Sequence, residues 1–184
     1  MTGRPALFLD RDGVVNVDRA YVYRQEDVEF IDGIFDLCRH AKQLGYLIFI
    51  ITNQAGIGRG YYTEQDFSDL MSWMCGIFAN ENAAIDKVYF CPTHPEHAIG
   101  EYKTESYFRK PAPGMIFLAA KEFNVNLRNS IFLGDKPSDL EAGIAAGVGN
   151  NILYYPDKRD SESTPGSVVS HPKQVLAYLK RWNC

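Results

Sequence analysis

The sequence predicts an α/β fold with a doubly wound, mostly parallel sheet of the Rossmann-like type. Three observations support this prediction. Short apolar runs alternate with helical patterns along the chain, which is typical of a parallel sheet covered by helices on both faces. Residues 46–51 (YLIFII) are apolar without interruption, as in a strand that is buried on both sides. Polar and acidic residues directly follow the predicted strands, where open α/β sheets bind ligands.

The first half of the chain alternates strand and helix. Residues 6–9 (ALFL) predict a short buried strand that ends at Asp10. A helix stopped by Gly45 follows, and its apolar face comprises Phe35, Leu37, Cys38, Ala41 and Leu44. After the strand at 46–51 and a glycine-bearing loop, Thr63 is expected to cap a helix with the apolar face Phe67, Leu70, Met71, Met74 and Phe78. Residues 87–91 (KVYFC) predict the third strand.

The second half repeats the alternation. Pro113 and Gly114 open a helix that runs through Phe123, and residues 130–133 predict the fourth strand. A short helix at 138–146, a fifth strand at 151–155 and a closing helix from 171 or 172 to 182 complete the pattern. Residues 157–170 are polar and rich in turn residues, which predicts an exposed connection. Residues 1–184 are therefore expected to form a single domain.

Composition and charge exclude several classes of protein. With 46 % hydrophobic and 23 % charged residues, the chain is typical of globular proteins that bury a core. A net charge of -4 predicts no general affinity for nucleic acid or for an anionic membrane. The four cysteines form no CxxC pair, and no apolar run matches a signal peptide or a membrane span. We therefore expect free thiols, a cytoplasmic location and a monomer.

Carboxylates lie at two of the predicted strand ends. Asp10 and Asp12 are two residues apart after the first strand, so in an extended chain their side chains share one face. Two such carboxylates repel each other unless a cation or a proton relieves them. Asp135 follows the fourth strand and would complete an all-oxygen site. The sequence therefore predicts Mg²⁺ bound by Asp10, Asp12 and Asp135.

These groups suit phosphoryl transfer. Asp10 could attack phosphorus and form a covalent intermediate, while Asp12 could protonate the leaving oxygen and then activate water. Thr52 and Lys110 offer a hydroxyl, a backbone N–H and a positive charge to the phosphoryl oxygens. Each residue alone is more often an ordinary turn or surface residue, but together at successive strand ends they favour a catalytic site. Asp139 either supports this site or begins the following helix.

The order of four motifs resembles the haloacid dehalogenase superfamily over nearly the whole chain. The motifs are FLDRDG at 8–13, ITNQ at 51–54, RKP at 109–111 and GDKPSD at 134–139. The resemblance implies that Asp10 is the nucleophile and that Asp12 marks the chain as belonging to a phosphatase branch. Any one motif is weak, but all four in order are specific.

A closer resemblance is to the phosphatases that remove the 7-phosphate from glycero-manno-heptose 1,7-bisphosphate. It is carried by FLDRDGVVNVDRAYV, VEFIDG, TNQAGIGRGYYTE, YFCPTHP and RKPAPGM. These enzymes are compact and lack a large cap domain. The resemblance implies a small sugar phosphate as substrate, bound by Asp18, Arg19, Ala20, Tyr21, Asn53, Gln54, Ala55, Arg109 and Lys136. Arg109 would recognise the distal phosphate, because its planar guanidinium suits that anion.

The loop GIGRG at 56–60 lies between a predicted strand and a predicted helix. The spacing of a dinucleotide-binding GxGxxG motif fails, because Tyr61 occupies the third glycine position. We expect these glycines to form a tight or mobile loop that carries Arg59 towards the substrate.

The sequence departs from the pattern of this family at a structural zinc site that its members commonly have. Cys91 is present, but Thr93 occupies the histidine position, with His94 one place later, and Ser106 and Phe108 replace two cysteines. A closed zinc site needs four ligands. Structural zinc is therefore not expected, and Cys91 is expected to be buried as a small apolar residue.

Three alternatives stay open at this point. Histidinol-phosphate phosphatases share much of the motif pattern. A receiver module also joins an acidic pocket to Thr and Lys, but its phosphoacceptor follows a later strand than Asp10 does. A non-catalytic sugar-phosphate-binding protein would be a third alternative, although the repelling pair Asp10 and Asp12 would be costly to keep for binding alone.

Overall fold

The computed structural model describes residues 3–156 and 167–182. Its six strands are β1 (Ala6–Leu9), β2 (Leu47–Asn53), β3 (Lys87–Cys91), β4 (Ile131–Gly134), β5 (Asn150–Tyr154) and β6 (Ser167–Val169). They form one sheet in the order β3-β2-β1-β4-β5-β6, and every neighbouring pair is parallel. The predicted α/β class and parallel sheet are therefore confirmed.

Helices connect the strands. The α-helices are α1 (Ile34–Gln43), α2 (Ala55–Gly58), α3 (Glu64–Asn80), α4 (Gly114–Phe123) and α5 (Pro137–Ala146). Short 3-10 helices lie at Gln25–Asp27, Gly100–Tyr102, Leu127–Asn129 and Pro172–Tyr178. The five predicted strands and the helices before the closing one are confirmed, with bounds that differ by at most two residues at most ends.

The two faces of the sheet carry separate cores because side chains alternate along each strand. One face buries Leu7 and Leu9 of β1 with the apolar sides of α1 and α3. The opposite face buries Ala6 and Phe8 against α4 and α5. Both cores are continuous across the central strands, which explains why residues 46–51 are apolar without alternation.

Thr63 caps α3, as predicted. Its Oγ1 accepts a hydrogen bond from the Asp66 N–H at 3.0 Å, and the Asp66 carboxylate accepts one from the Thr63 N–H at 2.8 Å. This reciprocal pair is a capping box, which satisfies two N–H groups that the first helical turn leaves without partners.

The carboxyl-terminal part differs from the prediction in two ways. The closing helix is a 3-10 helix that ends at Tyr178, because Leu179 is extended and Trp182 donates its N–H to Leu44. Residues 167–169, predicted as part of an exposed connection, form β6 at the sheet edge beside β5. The remainder of that segment, residues 157–166, lies outside the described residues.

The winding of the sheet places a switch point beside β1. From β1 the chain winds outwards through β2 and β3, and from β4 it winds in the opposite direction through β5 and β6. The crevice at the carboxyl ends of β1 and β4 is the ligand site that such a topology creates. Within the described residues, the connections 10–33 and 92–113 hold only short 3-10 helices, so no large cap domain is inserted there.

None of the helices in residues 3–156 and 167–182 combines the length and the apolarity needed to cross a bilayer.

Candidate active site

A buried lysine lies at the centre of the switch-point crevice. Lys110 Nζ lies 2.8 Å from Asp10 Oδ1 and 2.6 Å from Asp139 Oδ1, and it donates a hydrogen bond to the Ile51 carbonyl at 2.8 Å. Its side chain is 3 % exposed. Burial alone lowers the pKa of Lys110, but the two carboxylates outweigh burial and raise it. Lys110 is therefore a fixed positive charge beside Asp10.

Three carboxylates gather next to this lysine. Oxygens of Asp10, Asp135 and Asp139 all lie within 4.8 Å of one another. Burial, and then the charge of Asp10, raise the pKa of Asp135 to about 7. Asp135 Oδ1 is buried and has no hydrogen-bond partner among the described residues. This crowded set of hard oxygen donors fits a divalent cation such as Mg²⁺, which would relieve the repulsion between the carboxylates.

The carboxylate cluster differs in one member from the predicted metal set. The Asp12 carboxylate is not part of the cluster and accepts hydrogen bonds from Arg11 Nη2 at 2.8 and 2.7 Å and from Arg11 Nε at 3.1 Å. Asn16 and Gln54 donate to the same carboxylate at 3.1 Å each. Asp139, which the sequence left open, joins Asp10 and Asp135 in this cluster, and the metal role of Asp12 stays a prediction.

The cause is the backbone after β1. The chain does not stay extended, because the Arg11 carbonyl accepts hydrogen bonds from the N–H groups of Val14, Val15 and Asn16. The turn begins beside Asp12, whose carboxylate forms an ion pair with Arg11 at 2.7 Å. Asp12 still lines the cavity above Asp10, so it is placed to exchange a proton with a bound molecule.

Two residues after β2 hold their neighbours in place. Asn53 donates to the Lys110 carbonyl at 3.0 Å and accepts from the Lys110 N–H at 3.0 Å. Gln54 donates to Thr52 Oγ1 at 2.8 Å and accepts from Tyr62 at 2.6 Å. The side chains of Asn53 and Gln54, predicted to bind substrate, thus fix Lys110, Thr52 and Asp12 while they also line the cavity.

A cavity of about 540 Å³ opens above Asp10. Of the predicted substrate-binding set it is lined by Asp18, Ala20, Tyr21, Asn53, Gln54, Ala55, Arg109 and Lys136. Tyr62, Pro111 and Ser138 also line it, and the sequence motifs did not single out Pro111 and Ser138 for this role. The rim loop 18–22 holds two consecutive residues, Ala20 and Tyr21, at positive φ.

Two predicted substrate-binding arginines do not line the cavity. Arg19 forms an ion pair with Glu29 on the exposed surface. The Arg59 guanidinium lies over the Tyr21 ring, 5.8 Å from its centroid, because the glycine-bearing loop is wound into α2. Arg59 thus contacts Tyr21, a residue of the cavity wall, and does not line the cavity itself.

The insertion between β3 and α4 brings Arg109 to the cavity. Cys91 is buried in the core, as predicted, and its Sγ lies 3.3 Å from Thr93 Oγ1. Arg109 Nη1 donates to the Thr93 carbonyl at 3.0 Å, and the Tyr102 hydroxyl donates to Glu64 of α3 at 2.9 Å. The first of these hydrogen bonds joins the two ends of the insertion, and the second fastens its middle to α3.

Gly13 allows Asp135 to approach the first turn, and its replacement by Ala is expected to destabilise the fold. Gly13 has a φ of +91°, and a Cβ there would lie 2.2 Å from Asp135 Oδ2. Backbone strain alone costs about 1–3 kcal/mol for a non-glycine residue at positive φ. The displacement of Asp135 adds to that cost, so the free energy of unfolding in urea is expected to fall by more than the strain alone.

Gly147→Ala is a matched control for this variant. Gly147 has a φ of +80°, but a Cβ there would meet no atom within 4 Å. It therefore bears the strain without the clash. We expect Gly147→Ala to lower the free energy of unfolding less than Gly13→Ala; equal losses would show that the approach of Asp135 is unimportant.

Comparison with known proteins agrees with this geometry. A family model described as haloacid dehalogenase-like hydrolase matches residues 3–147. The chain is 55 % identical to a D-glycero-alpha-D-manno-heptose-1,7-bisphosphate 7-phosphatase of Burkholderia mallei over 95 % of this chain and 93 % of that protein. It is 44 % identical to a D-glycero-beta-D-manno-heptose-1,7-bisphosphate 7-phosphatase of Vibrio cholerae over 97 % of both chains.

A solved structure is also similar. The D,D-heptose 1,7-bisphosphate phosphatase of B. bronchiseptica, complexed with magnesium and phosphate, superposes with a TM-score of 0.80 at 25 % identity, covering 94 % of this chain and 96 % of that one. The family model, the curated relatives and the sheet topology therefore agree. The chain belongs to the haloacid dehalogenase-like hydrolase family.

Proposed function

We propose that this single-domain protein is a Mg²⁺-dependent phosphatase that removes the 7-phosphate of D-glycero-D-manno-heptose 1,7-bisphosphate, in the biosynthesis of heptose or nucleotide-activated heptose. The observation that carries the proposal is the Asp10 carboxylate, ion-paired with buried Lys110 below a cavity that Arg109 and Lys136 also line. A nucleophile, a fixed positive charge and two further cations in one cavity suit a substrate with two phosphates.

The residues of the chain account for both halves of the reaction. The Arg11 N–H, at 2.8 Å, and Lys110 fix the orientation of the Asp10 carboxylate. An Asp10 oxygen attacks phosphorus, the bond from phosphorus to the sugar oxygen breaks, and Asp12 gives that oxygen its proton. Water then attacks the aspartyl-phosphate and gives its proton to Asp12. Inorganic phosphate leaves and Asp10 is regenerated.

Asp10 and Asp135, with Asp139 beside them, would hold the cation. When bound, Mg²⁺ supplies positive charge that neutralises the phosphoryl group and the crowded carboxylates. Lys110 forms ion pairs with Asp10 and Asp139, so these two carboxylates would be shared between the lysine and the cation.

The cations on the cavity wall favour a bisphosphate. Arg109 presents a planar guanidinium that suits the distal phosphate. Lys136 Nζ lies 3.2 Å from Asp18 on the rim and 3.8 Å from Asp135, so it can bridge the rim and the reaction centre. Because the relative named for the alpha anomer is 55 % identical and the one named for the beta anomer 44 %, we propose the alpha anomer as the preferred substrate.

The test is phosphate release from the two anomers of the heptose bisphosphate and from histidinol phosphate, with Mg²⁺ present. We expect fast release of one phosphate from the alpha anomer, with the 1-phosphate left in place. EDTA should stop the release and added Mg²⁺ should restore it. An Arg109→Gln variant should raise KM for the bisphosphate more than KM for a sugar monophosphate, because only the bisphosphate has a distal phosphate to lose.

The other outcomes separate the alternatives. A preference for histidinol phosphate would contradict the assigned substrate and leave the aspartyl-phosphate mechanism in place. Release that is indifferent to EDTA would remove Mg²⁺ from the scheme. No release from any of the three compounds would favour a non-catalytic binding protein.

A further inference from the structure

Arg11, between the two aspartates of the first motif, is fully buried. Its relative exposure is 0 %, although arginine is rarely buried completely. Its Nη2 donates to both oxygens of Asp12 and to the Val22 carbonyl at 2.7 Å. Its guanidinium carbon lies 5.4 Å from the centroid of the Phe67 ring. Burying such a charge is costly unless it is paired and hydrogen-bonded, and here Asp12 is its one ion-pair partner among the described residues.

The hydrogen bonds of Arg11 link Asp12 to the loop at the rim of the cavity. Val22 ends the rim loop that contains Asp18 and Tyr21, and both of these residues line the cavity. One guanidinium thus joins the carboxylate that handles the proton to the loop that meets the substrate. A bidentate pair allows only one orientation of the carboxylate, which a single hydrogen bond does not.

We propose that Arg11 is the positioning residue of Asp12: its guanidinium holds the Asp12 carboxylate at one distance and angle from the scissile oxygen and ties that position to the rim loop through Val22. The inference rests on the proposed function, because it assumes that Asp12 transfers the proton. Arg11 itself is buried and is not among the residues that line the cavity, so it would act through Asp12.

The dependence of the reaction rate on the leaving group shows whether Asp12 is correctly positioned. A sugar alkoxide is a poor leaving group and needs a proton from Asp12 as the bond to phosphorus breaks. A p-nitrophenolate leaves without that proton. Misplacing Asp12 should therefore slow the first step for poor leaving groups far more than for good ones. The second step uses Asp12 as a base for every substrate, so the aspartyl-phosphate should accumulate when the leaving group is good.

The experiment compares Arg11→Gln and Arg11→Lys with the wild type on the heptose bisphosphate and on a series of aryl phosphates from phenyl to p-nitrophenyl. For Arg11→Gln we expect kcat/KM to fall by about 100-fold with the bisphosphate and by less than about 10-fold with p-nitrophenyl phosphate. The plot of log kcat/KM against leaving-group pKa should become steeper. A burst of one p-nitrophenol per site should precede slow turnover. Arg11→Lys should recover part of the loss, since it keeps the charge without the bidentate geometry.

Arg39→Gln is the matched control. Arg39 is also ion-paired, to Asp36 and Glu81, but it lies on α1 away from the cavity, so neither the slope nor the burst should change. An equal fall in kcat/KM for all substrates without a burst would overturn the proposal and make Arg11 a merely structural residue. If Arg11→Gln does not fold, Arg11→Lys, which retains the buried charge, gives the same two readouts.

The aryl series separates the two proposals. A wild type that hydrolyses aryl phosphates but not the heptose bisphosphate would refute the proposed substrate, while the slope would still decide the role of Arg11. A wild type inactive on every ester would refute both.

Discussion

Asp10→Asn is expected to lower kcat by at least about 10⁴-fold without loss of the fold. The amide keeps the shape of the carboxylate but cannot form the acyl-phosphate bond. Lys110 retains Asp139 as a partner at 2.6 Å, so the buried ammonium group still has a counter-charge. Steady-state phosphate release measures the first expectation, and thermal unfolding with circular dichroism measures the second.

The surface variant Asp36→Asn is the control for this experiment, because Asp36 lies on α1 and its ion pairs within residues 3–156 and 167–182 are with Arg39 and Lys173. It should retain the turnover of the wild type. Turnover of Asp10→Asn within about tenfold of the wild type would rule out the covalent route and leave a direct attack by water as the mechanism.

Lys110→Met is expected to lower the free energy of unfolding by about 3–5 kcal/mol near neutral pH, because it leaves buried Asp10 and Asp139 without their counter-charge. All three side chains are at most 7 % exposed, so solvent screens their charges little. The variant should also lose activity, since Asp10 loses the cation that orients it. Urea unfolding of the wild type and the variant measures the difference.

The loss of stability should depend on pH with a defined sign. Burial already raises the pKa of Asp10 above its usual value of 3.8, and the Lys110 charge opposes that rise. Without Lys110 the pKa in the folded state rises further, so the folded variant binds more protons than the unfolded chain. Its stability relative to the wild type should therefore recover as the pH falls through the raised pKa of Asp10.

The double variant Lys110→Met with Asp139→Asn tests the electrostatic cause. It removes one of the two uncompensated carboxylates and should regain part of the lost stability without regaining activity. A double variant as unstable as Lys110→Met, with no pH dependence, would point to the packing of the lysine stem rather than to its charge.

The sheet and much of the site were predictable because their signals are local. A continuous apolar run specifies a strand buried on both faces, and parallel strands bring their carboxyl ends to one edge. Asp10, Thr52, Lys110 and Asp135 therefore meet although they are far apart in sequence. The strand β6 was not predicted, because three residues beside a polar, turn-rich stretch carry too short a pattern to stand out.

The remaining differences depend on where the backbone turns and on which side-chain partners it finds. The two-residue spacing of Asp10 and Asp12 predicted that both reach one site, and both line the cavity, but the ion pair of Asp12 with Arg11 was not predictable from that spacing. Asp139 joins the cluster because α5 begins directly after β4 and turns this residue back towards Lys110. Arg59 follows α2 and lies over Tyr21 of the cavity wall, so its role towards the substrate stays a prediction.

The double hydrogen bond between Asn53 and the backbone of Lys110 has a consequence for changes within the insertion. The far end of the insertion is fastened to β2 by that pair, and the near end by the bond from the Gln54 N–H to the Cys91 carbonyl at 2.8 Å. Residues 92–108 therefore form a module clamped at both ends. Changes of length or sequence within that module are therefore expected to leave Lys110 in its place beside Asp10.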